Sequence, residues 1–120
     1  MDKLNELMKA VVAFRDERDW GKFHTPRNLT AALAIEAAEL QELLLWKTDK
    51  ETAEYLNNPT NRQKAAHEIA DVLTFTLLFC HATGIDPIAA VEEKLAINAK
   101  KYPVELSRGN ATKYTDLPRP

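Results

Sequence analysis

Apolar residues in this chain recur at intervals of three and four, and no segment alternates with period two. That spacing produces helices with one buried stripe and leaves nothing from which to build a sheet. In the first segment, from about Asp2 to Asp19, Leu4, Leu7, Met8, Val11 and Phe14 share a face. Trp20-Gly21 ends it, and Pro26 is expected to keep the next stretch in a loop. A second helix is expected from about Leu29 to Lys47, with Asn28 or Thr30 as its cap. Thr48 to Asn58 has room for a short helical turn, broken by Asn58-Pro59. A third helix, from about Asn61 to Ala82, stops at Gly84, a suitable C-terminal cap. Asp86-Pro87 reads as N-cap plus first-turn proline of a fourth, which ends at Pro103. Residues 104–120 read as a polar, irregular tail.

The expected fold is therefore all-α: one domain over 1–120, a four-helix bundle-like protomer. Only three glycines interrupt its Ala- and Leu-rich stretches, in keeping with helix. Leu43, Leu44, Leu45 and Trp46 are consecutive and cannot all face one core. The surplus implies a second buried surface, and with it a homo-oligomer.

Sixteen Lys and Arg stand against eighteen Asp and Glu. So small an imbalance gives no field that would draw the chain to nucleic acid or an anionic membrane. Cys80 is the one cysteine, so no disulfide closes within the chain and a reducing cytoplasm is the expected compartment. The start is polar, unlike a signal peptide, and no apolar run is long enough to span a bilayer.

Four acidic residues occupy unexpected positions. Glu36 lies inside the second helix's stripe of Leu29, Leu33, Leu40, Leu43 and Leu44, and Glu39 lies at its edge. Asp71 falls within the run Ile69 to Cys80, apolar nearly all round and expected to be buried, with Glu68 one turn before it. A buried carboxylate without a partner is costly, so it finds a cation or takes a proton. Residues three apart on a helix are neighbours. Glu36-x-x-Glu39 and Glu68-x-x-Asp71 thus form two pairs, which converge if their helices face each other. Hard oxygen donors in that number suit Mg²⁺, with Mn²⁺ as the alternative. The competing reading is four ordinary salt bridges or solvated acids. A di-iron site would need Glu-x-x-His on each of two helices, and no histidine here has a glutamate three residues before it.

On the fourth helix, Lys94, Asn98 and Lys101 line up beside an apolar stripe of Ile88, Val91, Leu95 and Tyr102. Ammonium and amide groups beside a metal site can hold phosphate oxygens; alone, such a line is a solvated edge. Trp20 and Trp46 are candidate walls for a nucleobase, and His24 is a candidate contact to base or phosphate. No glycine-rich phosphate loop is present, so phosphate binding must centre on metal.

These residues resemble the all-α, MazG-like nucleoside triphosphate pyrophosphohydrolases, whose pattern is E-x-x-E followed after a spacer by E-x-x-D. Here it reads Glu36-Ala-Ala-Glu39 and Glu68-Ile-Ala-Asp71. Segments 15–29 (RDERDWGKFHTPRNL), 39–47 (ELQELLLWK), 98–106 (NAKKYPVEL) and 113–118 (KYTDLP) are similar to the dCTP pyrophosphatase branch. The resemblance implies hydrolysis of dCTP, or a 5-modified dCTP, to monophosphate and pyrophosphate. It implies Mg²⁺ on Glu36, Glu39, Glu68 and Asp71, with Lys94 and Asn98 near phosphates and sugar. It places Trp20 and Trp46 in the base pocket and implies a homo-oligomer, a tetramer favoured over a dimer. Glu39 is the carboxylate assigned to the attacking water, and Lys94 the group that stabilises departing charge. Two positions depart from the branch: Phe75 replaces a tyrosine and Val11 a histidine. The alternatives are the same chemistry on dUTP, dATP or damaged nucleotides, or a non-catalytic helical oligomer.

Overall fold

The computed structural model describes residues 2–119. Among them are six α-helices and one 3-10 turn, and no strand. The helices are α1 (Lys3–Glu17), α2 (Pro26–Glu42), α3 (Asp49–Asn57), α4 (Pro59–Thr83), α5 (Pro87–Lys101) and α6 (Val104–Ser107). The all-α expectation stands, while the count of four is corrected to six. The chain forms two compact units, 1–85 and 86–120.

Within the first unit α4 is the central element. α2 makes the broadest contact with it, followed by α1 and α3. The core is formed by Leu29 at the start of α2 and Leu77, Leu78 and Cys80 near the end of α4. The run from Ile69 to Cys80 is less buried than expected, because Ile69 and Leu73 are exposed. Gly84 ends α4 in the left-handed conformation, φ 73°, as its position predicts.

Two boundaries differ from expectation for local reasons. Pro26 does not prolong a loop: it is the first residue of α2, where its missing N–H costs nothing. Thr25 is the N-cap, its hydroxyl accepting from Asn28 N–H at 3.2 Å. The Asn28 side chain donates to the Phe23 carbonyl at 2.9 Å and ties the preceding loop to the helix. At the other end, α2 stops at Glu42 rather than Lys47. Leu43, Leu44 and Leu45 donate to carbonyls three residues back, which tightens the helix end. Trp46 then takes a positive φ of 64°. The Lys47 ammonium caps the Leu43 carbonyl at 2.9 Å. Thr48 and Glu51 exchange hydrogen bonds in a capping box that starts α3. The four consecutive apolar residues therefore lie in a turn between helices.

In the second unit, Asp86 caps α5 by accepting from Ile88 and Ala89 N–H. The tail is not irregular throughout: it holds α6 and the 3-10 turn Tyr114–Asp116. The turn is tied back to the end of α5. Tyr114 meets Tyr102 edge to face at 5.9 Å, and the Lys101 ammonium lies 4.7 Å from its ring centre. The Arg119 guanidinium donates to the Lys101 carbonyl, and Leu117 is buried.

Candidate active site

The packing of α2 on α4 brings acids from both helices to one place. Glu36, Glu39 and Glu68 each present an oxygen within 4.8 Å of the others. Asp71 is outside this trio but close enough for its charge to act on Glu36. The four-carboxylate expectation becomes three gathered groups with a fourth beside them. Oε2 of both Glu36 and Glu68 is buried without a hydrogen-bond partner. Ion pairs among the described residues join Arg15 to Asp16, Arg18 to Glu17 and Lys22 to Asp19. None of these pairs involves the four acids; Glu39 and Asp71 are exposed, as the solvated-acid reading has them, while Glu36 and Glu68 are half-buried.

The electrostatic result falls on Glu36. Its pKa is pushed up to about 7, first by burial, then by hydrogen bonding with Glu39 and Glu68 and by the charges of Glu39 and Asp71. Crowded carboxylates in a partly dry site must share a proton or take up a cation. The orphaned oxygens and the all-oxygen donor set fit a hard divalent cation. Glu39 is the exposed member of the trio, while Glu36 and Glu68 are half-buried.

Asp71 also lines an aromatic cavity of about 200 Å³, together with Trp20 and His24 from the loop after α1. Trp20 meets the ring of Phe14 at 5.9 Å and that of His24 at 6.4 Å, and His24 meets Phe75 at 6.3 Å. His24 Nδ1 is buried without a partner. Burial, and then the nearby Arg15 charge, lower the pKa of this histidine. Val11 and Phe75 make the adjoining wall apolar. Two of the expected substrate residues thus share a cavity with one expected metal ligand.

The other expected site residues are placed differently. Trp46 is 92% exposed, in the turn after α2, and does not line the Trp20 cavity. Lys94, Asn98 and Lys101 lie on α5, in the second compact unit. Lys94 is exposed; Asn98 and Lys101 are half-buried. Sequence reasoning passed over Arg15, which lines the cavity beside Trp20. Its side chain is only 14% exposed. The available signal was its place at the head of the RDERDW segment, but its burial depends on the loop folding back.

The MazG-like family matches residues 31–117, a span that includes all four acids. The chain belongs to this family. Among its relatives is dCTP pyrophosphatase 1 of Rattus norvegicus, 42% identical over 97% of this chain and 68% of that protein. The Homo sapiens protein of that name is 39% identical over 96% of this chain and 68% of its own length. A solved pyrophosphatase from Archaeoglobus fulgidus superposes with a TM-score of 0.80 at 39% identity, covering 86% of this chain and 94% of that one.

Proposed function

We propose that this chain hydrolyses dCTP or a 5-modified dCTP to the monophosphate and pyrophosphate with Mg²⁺. Its class, a nucleoside triphosphate pyrophosphohydrolase, is that of its family and of the dCTP pyrophosphatases it is similar to. The observation that carries the reading is the trio of carboxylates within 4.8 Å, two with orphaned buried oxygens. Asp71 links that acid site to the aromatic cavity.

Glu36, Glu39, Glu68 and Asp71 would hold Mg²⁺, with Mn²⁺ as a substitute. The bound metal would neutralise phosphate charge and acidify water. Glu39, the solvent-facing acid, orients the attacking water and accepts its proton. Trp20 stacks on the base, with His24 at the cavity wall. Lys94 stabilises charge on the departing pyrophosphate and Asn98 holds phosphate and sugar, two roles that rest on the family resemblance; Lys101 joins them only by its place in line with both on α5. The protomer assembles into a homo-oligomer, a tetramer by the same resemblance, in the cytoplasm. Exposed Ile35, Leu45, Ile69 and Leu73 supply apolar surface for that contact.

The test is incubation with Mg²⁺ and a panel of triphosphates, resolving the products. dCMP and pyrophosphate from dCTP, with other bases much slower, is the expected outcome. Equal turnover of dUTP and dATP would replace the dCTP reading with a broad specificity, which the apolar Val11 and Phe75 favour. No hydrolysis of any triphosphate would refute both.

A further inference from the structure

The mechanism above gives Arg15 no part, yet the geometry makes it the strongest hydrogen-bond donor in the aromatic cavity. Its side chain lies on the cavity wall and is 14% exposed. Nε and Nη2 both point to one oxygen, Asp16 Oδ1, at 2.9 and 2.8 Å. A guanidinium has five N–H donors, so this contact leaves the far edge of the fork free. Asp16 anchors the group and offsets its charge, which suits a neutral ligand better than a phosphate. The loop holds it in place: a Cβ on Gly21 would come within 3.5 Å of Arg15 Nε. The Arg15 carbonyl accepts from the N–H groups of Arg18 and Trp20.

Of the other polar side chains on this wall, Thr74 uses its hydroxyl on the Ala70 carbonyl at 2.8 Å. Asp71 belongs with the acids. Arg15 and the unpartnered His24 Nδ1 remain. A base stacked on Trp20 therefore meets a rigid fork of donors and one imidazole nitrogen. The fork matches two adjacent acceptors, as it does on the O6/N7 edge of guanine. Among pyrimidines, cytosine presents such a pair in O2 and N3, whereas uracil carries a hydrogen on N3. The 4-amino group of cytosine then needs an acceptor, which a neutral imidazole provides.

We propose that Arg15 is a specificity-determining residue, donating to O2 and N3 of a cytosine stacked on Trp20, with His24 accepting from the 4-amino group. The inference rests on the nucleotide-hydrolase reading above and names the residue that selects the base. It concerns binding, so it is tested without turnover.

Quenching of Trp fluorescence by dCMP and by dUMP, in metal-free protein, gives the two affinities. The wild-type chain is expected to prefer dCMP by about tenfold or more. In Arg15→Met, with circular dichroism confirming the helices, dCMP affinity falls to that of dUMP. Arg15→Lys, which keeps the charge but not the fork, does not restore the preference. If Arg15→Met fails to fold, 3-deaza-dCMP on the wild-type protein serves instead. It lacks the N3 acceptor and should bind about tenfold more weakly than dCMP. Equal affinities for dCMP and dUMP in the wild type overturn the assignment. So does a loss in Arg15→Met that is the same for both nucleotides, or unimpaired binding of 3-deaza-dCMP. A dCMP preference without hydrolysis of any triphosphate would reject the hydrolase reading and leave this one standing.

Discussion

A carboxyl that keeps its proton to about pH 7 records how crowded its surroundings are, and Glu36 is that carboxyl. Its ordinary value is 4.5. Between these values the folded chain holds a proton that the unfolded chain has lost. Without metal, the stability Glu36 contributes is complete below about pH 4.5 and is lost as pH rises through about 7. Thermal melting of metal-free protein from pH 5 to 8 should show this decline. A melting temperature that climbs across the window would contradict the assigned shift. A divalent cation competes with that proton, so stabilisation by Mg²⁺ should be larger at pH 8 than at pH 6. Glu36→Gln removes the like-charge conflict. It should raise the metal-free melting temperature at pH 8 while abolishing the Mg²⁺-dependent increase. Glu39→Gln keeps the helix and loses the base, so kcat should fall by about a hundredfold or more. Normal turnover with saturating Mg²⁺ would remove Glu39 from its role.

At the scale of elements, the start of α2 controls the cavity. Thr25 caps the helix, and Asn28 holds the Phe23 carbonyl, so the Trp20–His24 loop is fastened to a helix end. Thr25→Ala should cost about 1 kcal/mol of stability, read from denaturant midpoints. It should also raise KM more than it lowers kcat, because it loosens the base wall and leaves the acids in register. An unchanged KM would show the loop to be held by its aromatic contacts instead. Helix existence was legible from the three-and-four spacing, and the Gly84 and Asp86-Pro87 signals gave correct boundaries. Pro26 was misread because a proline after Thr can open a helix as readily as prolong a loop. The end of α2 was misread because Leu43 to Trp46 continue an apolar pattern. The positive φ at Trp46 and the Thr48 capping box override that pattern.

At the scale of the whole molecule, the exposed apolar side chains set the expectation. Ile35 and Leu45 line a groove of about 520 Å³ next to Glu39, and Ile69 and Leu73 are exposed on α4. Burying such surface in a second copy is worth about 25 cal/mol per Å². Sedimentation should therefore give a mass above one protomer. Ile35→Glu with Leu45→Glu should shift the protein towards monomer and lower activity with it. A monomeric wild type would remove the oligomer from the proposal. Among the described residues, no single helix is long and apolar enough to cross a membrane.

The order of residues alone determined where the long helices lie and which acids stand one turn apart on them. Both depend on the local repeat of the backbone, which a short window of sequence specifies. It did not determine that Glu36, Glu39 and Glu68 would close to within 4.8 Å while Asp71 stood aside. Nor did it show that Arg15 would lie buried against the Trp20 loop. Those outcomes depend on how α2 seats on α4 and how the loop returns over α1. Contacts between residues far apart in the chain decide them, and no local spacing encodes such contacts.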